Sequence, residues 1–172
     1  MEKTRQEIKD KAFALAKKYE MEYGNCAQSV FAGVMESLGM WNEDVFRSAT
    51  GFADGIGLTG DGHCGSLSGA VLAISCLYGR KKEEFQRRGK MMKALLLCRE
   101  LENRFNAIYG TCRCHDLQMK FYGRFFNLMT SEDLEAALKA GVLDRCSSLA
   151  GEVASMAVEL ILDQREKDAA KG

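Results

Sequence analysis

Residues 51–79 read GFADGIGLTGDGHCGSLSGAVLAISCLYG, and the reading of this stretch decides between two folds. Gly55-Ile56-Gly57-Leu58-Thr59-Gly60 matches the dinucleotide-binding pattern G-x-G-x-x-G. That pattern needs a strand before it and a helix opening directly after it, inside a βαβ unit. Here the preceding Val45-Phe46-Arg47-Ser48-Ala49-Thr50 is helical in character and no strand-like alternation is in sight. The nucleotide fold is therefore rejected. What remains is a long glycine-rich loop, Gly51 to Gly65, that delivers Cys64 to the start of a helix. Leu67, Ala70, Val71, Ile74, Leu77 and Tyr78 recur along that helix at helical spacing until Gly79 ends it. Structureless loops of this length inside a compact domain are often functional. Gly55, Gly57, Gly60, Gly62 and Gly65 are expected to allow tight turns and positive φ angles. An anion-binding nest of exposed N–H groups is the functional alternative.

Working outward, the same 3.6-residue period recurs and proline is absent. Ile8, Ala12, Leu15, Ala16 and Tyr19 form one apolar stripe, and Ala27, Val30, Phe31, Val34 and Leu38 form the next. A short helix is predicted from Asn42 to Thr50. A long one is predicted from Lys81 to about Ile108, with Met91, Leu95, Cys98, Leu101, Phe105 and Ile108 on one face. A further helical stretch is expected around Phe121, Phe125, Leu128 and Met129, and Thr130-Ser131-Glu132-Asp133 reads as a helix cap. The last helix turns Leu149, Ala150, Val153, Ala157, Leu160 and Ile161 inward. The expectation is an all-α, single-domain bundle of about seven helices spanning 1–172, with one glycine-rich loop. Ser66, Gly69, Ala73 and Cys76 make a small-residue face on the loop-fed helix, suited to close approach by a neighbour within the chain or by a twin in a homodimer.

A chain of 172 residues is long enough for one real core. Lys+Arg and Asp+Glu balance at 24 each, so no net field draws nucleic acid or an anionic membrane. No apolar run approaches a bilayer span, so membrane insertion is not expected. The charged start Met1-Glu2-Lys3-Thr4-Arg5-Gln6-Glu7 does not resemble a secretory signal, and a cytoplasmic location is the expectation. In a reducing cytosol, paired thiols serve more often as metal ligands or catalytic groups than as structural bridges.

There are seven cysteines, and they sort by position. Cys76 and Cys98 lie among large or aliphatic residues in mid-helix and read as core. Cys26, Cys64, Cys114 and Cys146 each read as lying at a loop-to-helix junction. There, unpaired N–H groups and the helix dipole are expected to lower a thiol's pKa. A shared sulfur site is the reading for these four. Cys112 forms a C-x-C pair with Cys114 and is either an auxiliary ligand or a spare thiol. His63 and His115, the only two histidines, each adjoin a junction cysteine and are a base, a ligand or a solvated loop residue. Asp54 and Asp61 read as turn residues. Cys112-Arg113-Cys114-His115 is one residue short of the C-x-x-C-H pattern of covalent haem, and no C-x-x-C occurs anywhere.

The pattern resembles the C_GCAxxG_C_C family of redox-active proteins. The resemblance runs through Asn25-Cys26-Ala27, Gly51-Phe52, the glycine loop into Cys64-Gly65-Ser66-Leu67-Ser68-Gly69, Cys114-His115-Asp116-Leu117 and Cys146. It covers roughly residues 20 to 165. Ser66 stands where the motif usually has alanine, and His115 where arginine commonly follows. The resemblance implies a small helical protein with a redox role carried by Cys26, Cys64, Cys114 and Cys146. It extends to a domain of split-Soret-type cytochromes, which inclines the cofactor expectation to iron–sulfur, with zinc or no metal as the alternatives.

Two readings follow. In the first, the four cysteines bind an iron–sulfur cluster or metal for electron transfer, with N–H donors at helix starts tuning its potential. In the second, the same cysteines cycle as a metal-free thiol–disulfide oxidoreductase or redox sensor, with His63 or His115 as base. Four sulfurs converging on one point favour the first, and separated pairs favour the second. Either reading implies a redox partner protein that the sequence does not identify.

Overall fold

The computed structural model describes residues 4–171. Met1 to Lys3, which open the charged start, lie outside the described residues, as does Gly172. Helix α1 (Arg5–Tyr23) begins at Thr4, whose hydroxyl accepts from the Glu7 N–H while the Glu7 carboxylate accepts from the Thr4 N–H at 2.7 Å. Two orphan donors of the first turn are satisfied this way. After Gly24 come α2 (Cys26–Ser37), a short α3 (Glu43–Ser48) continued by a 3-10 turn, and the glycine loop. The loop feeds α4 (Gly65–Tyr78), followed by α5 (Met92–Tyr109), α6 (Cys114–Tyr122), α7 (Ser131–Lys139) and α8 (Val142–Ala169). The described chain is all-α, with eight helices where the periodicity suggested about seven.

Helix α2 is the axis of the bundle. Nine of its twelve residues are buried, which no one-sided stripe would need, and it packs against α1, α4 and α8. The small-residue face of α4 serves this packing. A Cβ on Gly69 would stand 2.2 Å from the Ala27 carbonyl oxygen, so only glycine lets the two backbones meet there. Helix α8 covers α1 and α2 with Leu149, Ala150, Val153, Ala157, Leu160 and Ile161, all buried as their spacing predicted. Helix α7 joins the bundle through a small separate cluster of Phe126, Ala137 and Val142. No helix of the described residues is long and apolar enough to cross a membrane.

Three expectations need correction. The long helix starts at Met92 rather than Lys81, because residues 81–91 carry mainly charge and a glycine and offer no stripe to bury. They form two 3-10 turns instead. Its inward face is Ala94, Leu101, Phe105 and Tyr109, leaving Leu95 and Ile108 exposed. Helix α6 stops at Tyr122, where Gly123 adopts a left-handed φ of 73°, so Phe125, Leu128 and Met129 lie in a loop. Cys146 sits one turn inside α8, which is capped at Gly141. It is not at the helix start.

Candidate functional site

Local structure fixes each cysteine before the fold brings them together. Asn25 takes a left-handed conformation (φ 61°) and caps α2. Its Oδ1 accepts from Gln28 N at 3.2 Å, and its Nδ2 donates to the Thr50 carbonyl at 3.1 Å. Cys26 is thereby held as the first helical residue. Cys64 is the N-cap of α4 and Cys114 is the first residue of α6. The two are tied by a short antiparallel ribbon in which the Cys64 N–H donates to the Cys112 carbonyl at 2.7 Å and the Cys114 N–H to the Gly62 carbonyl at 3.0 Å. A bridge between His63 and Arg113 lies between them.

Cys26, Cys64, Cys114 and Cys146 all line one cavity of about 260 Å³. Glu20, Asp54, Ser66 and Gln118 line it too, and α7 closes one side with Leu134, Ala137 and Leu138. A Cβ on Gly65 would fall 2.3 Å from the Cys26 sulfur. The missing side chain at Gly65 is thus what allows Cys26 to sit beside the start of α4, next to Cys64. Cysteines separated by tens of residues are gathered by three helix beginnings and the second turn of α8. All seven cysteines are free thiols.

The polar groups around this chamber are only partly satisfied. Cys114 Sγ and Gln118 Nε2 both donate to Asp54 Oδ1 at 2.9 Å, and Gln118 Oε1 accepts from Phe126 N at 3.1 Å. The other oxygen of Asp54 has no partner, and neither does Glu20 Oε2 or the hydroxyl of Tyr122 beside Cys146. Among the described residues these three are the buried side-chain nitrogen or oxygen atoms left unpaired; Glu20 and Asp54 line the chamber, and Tyr122 packs beside Cys146. Burial pushes the Glu20 carboxyl up to about 7, against the pull of the Ser29 hydroxyl and with a further push from Asp54. The Asp54 carboxyl is raised by burial as well.

Burial also raises all four thiols, which overturns the expectation that helix starts make them thiolates. The donors anticipated from the sequence do act. Backbone N–H groups of Leu67 and Ser66 favour ionised Cys64, and that of Asp54 favours ionised Cys26. Desolvation outweighs them, and for Cys26, Cys114 and Cys146 the neighbouring sulfurs and carboxylates add to it. The metal-free chamber therefore holds neutral thiols.

The auxiliary residues lie elsewhere. His63 and Cys112 meet Glu102 on the outer side of the ribbon. His115 Nδ1 lies 3.2 Å from Asp116 Oδ1, and its ring rests against Phe125. None of the three lines the chamber. Cys76 and Cys98 are half-buried and packed against the main core. In the loop, Gly55, Gly57 and Gly60 take the positive φ expected of them, whereas Gly62 and Gly65 are required by close approach instead. The N–H groups of Gly57, Leu58, Gly60 and Gly62 bond loop carbonyls and so are not offered to a ligand. Sequence reasoning missed Glu20, Gln118 and the role of Asp54. Glu20 follows Ala12 and Ala16 at four-residue steps, a carboxylate on a buried stripe, and Gln118 stands one turn after Cys114. Those two spacings were the available signals.

A model of the family described as "Putative redox-active protein (C_GCAxxG_C_C)" matches residues 23–160. No curated protein and no solved structure matches the chain. The match takes in most of the chain and every wall of the chamber but Glu20, and the protein belongs to this redox-active family.

Proposed function

From that family membership, we propose that the chain is an electron-transfer protein whose chamber holds a polynuclear metal centre, an iron–sulfur cluster, through Cys26, Cys64, Cys114 and Cys146. The observation that carries the reading is that the unpaired buried oxygens of Glu20 and Asp54 and four thiols, two buried and two half-buried, line one cavity. A buried polar group without a partner is costly, and an absent ligand is among its ordinary explanations. The donor set fits such a centre, since iron–sulfur clusters are held by cysteine thiolates. Among the described residues, no three of the chamber's sulfur and carboxylate ligand atoms lie within 4.8 Å of one another. That spread is wider than the shell of a single ion, and the metal reading rests instead on the four thiols sharing one cavity of about 260 Å³.

When bound, such a centre supplies one-electron transfer. The chain's own residues do the rest. The four thiols release protons on ligation. The N–H groups of Ser66, Leu67 and Asp54 face the sulfurs of Cys64 and Cys26 and stabilise their negative charge. Gln118 holds Asp54 in place, Glu20 and Asp54 can keep or yield a proton as the charge of the chamber changes, and α7 limits water access.

The second reading, metal-free dithiol–disulfide cycling, draws support from the closeness of Cys26 to the backbone beside Cys64. Its weakness is that buried, neutral thiols are poor attackers. Anaerobic purification with an absorption spectrum, iron and acid-labile sulfide analysis separates the two. Visible charge-transfer bands with iron and sulfide in proportion to protein, lost in Cys64→Ser, are the expected result. Colourless protein without metal after a reconstitution attempt would move the assignment to dithiol chemistry.

A further inference from the structure

His63, Glu102 and Cys112 each place one ligand atom, a ring nitrogen, a carboxylate oxygen and a sulfur, within 4.8 Å of the other two. They come from three separate segments, namely the end of the glycine loop, the middle of α5 and the loop before α6. His63 is exposed, and the other two are half-buried. Among the described residues, Glu102 has no ion pair with a basic side chain, although Arg99 stands one turn away on the same groove wall. The chamber uses none of the three.

We propose that this triad is a second metal site, separate from the chamber, which takes a zinc-type divalent cation. The donor types suit zinc, which accepts imidazole nitrogen, thiolate sulfur and carboxylate oxygen. Around a tetrahedral zinc, ligand atoms stand about 3.5 Å apart, so small side-chain rotations close the triad onto one ion. Three protein ligands leave the fourth position to water, and the exposure of His63 provides the way in. On binding, the Cys112 S–H proton passes to solvent and its sulfur bonds the metal.

The position gives the ion a role. The ribbon that carries Cys64 and Cys114 is held by the Cys64–Cys112 and Cys114–Gly62 backbone bonds and by a third from His115 N to the Gly60 carbonyl at 2.9 Å. His63 and Cys112 lie on the two strands of that ribbon, and Glu102 belongs to α5. An ion shared by the three clamps the ribbon to α5 and so fixes where two chamber cysteines stand. The site is a positioning device for the redox centre, built from residues outside it.

The test is titration of the purified protein with Zn²⁺, and with Co²⁺ as a spectroscopic substitute, on wild type, Cys112→Ser, His63→Gln and Glu102→Gln. All three substitutions are conservative and lie outside the chamber, and circular dichroism checks that the helices remain. Wild type is expected to bind one ion more than Cys112→Ser, and the affinity of that ion is expected to fall more than about tenfold in the other two. Its presence is expected to slow amide exchange in residues 60–64 and 112–115. Equal stoichiometry and affinity in wild type and Cys112→Ser overturns the site, as does wild type binding no ion that these substitutions affect. The comparison counts one ion against wild type whatever the chamber holds. Failure of this site and failure of the cluster assignment are thus read from different numbers.

Discussion

Two sides of α2 obey different rules. Where it meets α1 and α4 the chain packs small residues on small residues, with Gly33 so close to α1 that an added Cβ would stand 2.8 Å from Ala16, and Gly69 of α4 against Ala27 in the first turn. Away from the chamber, charges at the rim of the bundle find partners, where Lys9 of α1 bonds Glu159 of α8 at 2.7 Å and Arg104 of α5 bonds it at 3.1 Å. On the Cys26 side of that same first turn, the helix opens a cavity of about 260 Å³ walled by thiols and half-satisfied carboxylates. Dense packing stabilises the fold, and loosened, unsatisfied packing is where natural proteins place chemistry. The contrast teaches that the chamber is maintained at a cost to stability. It persists because the rest of α2 is held so closely.

The sharpest way to break the contrast is to put one methyl group into the tight side. In Gly69→Ala the new Cβ meets a backbone carbonyl at 2.2 Å, and a carbonyl in mid-bundle cannot swing aside. Helices α2 and α4 must separate, and Cys26 and Cys64 separate with them. A loss above about 3 kcal/mol is expected, at or beyond the usual range for overpacking. Gly89→Ala is the control, since a Cβ there meets nothing within 4 Å. It should stay within about 0.5 kcal/mol. Urea unfolding measures both, and equal midpoints for the two variants would show that α4 has slack the packing denies.

Titration distinguishes the two sides by sign. Glu20, in the chamber, has its carboxyl raised by burial from 4.5 to about 7. Below pH 4.5 both folded and unfolded chains carry that proton. Between 4.5 and 7 only the folded chain does, so stability contributed by the protonated form is lost as pH rises through that window. The loss is on the order of 3 kcal/mol by pH 8. Glu159, at the packed rim, is held below its ordinary value mainly by Lys9, so its smaller contribution is lost as pH falls. In metal-free, reduced protein, Glu20→Gln should remove the alkaline loss and leave the acid limb in place. A wild-type stability profile that is flat from pH 5 to 8 would mean Glu20 finds water or a partner in solution.

These behaviours were legible in the sequence to different degrees. The helices of the packed side were plain because Ala, Leu and Val recur at helical spacing in α2, α4 and α8, and burial on one side is what that period encodes. The start of α5 was misread because Lys81 to Lys90 has the composition of a helix without an apolar face to anchor it. The four cysteines were legible through their neighbours, Asn25, the glycine loop and Gly141, which mark local chain turns. Their ionisation was not, because it depends on depth of burial, which arises only once α7 and α8 cover them. The same limit hid Asp54. It lies in a polar loop and reads as a turn residue, and only the long-range pairing of residues 60–64 with 112–115 turns it toward Cys114.

The smallest effect probes how the loop is held in the shape that aims Asp54. Residues 54 to 58 all have positive φ, and three of them, Asp54 (46°), Ile56 (71°) and Leu58 (64°), are not glycine. Left-handed backbone costs roughly 1–2 kcal/mol for an ordinary L-residue, and a β-branched side chain such as Ile56 suffers most. Ile56 is also 54% exposed, so it gains little from burial in return. Ile56→Gly relieves that strain but adds roughly 0.5–1 kcal/mol of chain entropy to the unfolded state. The net expectation is a gain of no more than about 1 kcal/mol. Gly57→Ala, where φ is 58° and nothing crowds the Cβ, should lose about 1 kcal/mol for conformational reasons alone. Opposite signs at adjacent positions, read by thermal unfolding, would establish that the loop is strained and held from outside. A loss at both would mean that the Ile56 contact with Gly62 outweighs the strain, and that the loop shapes the chamber by packing.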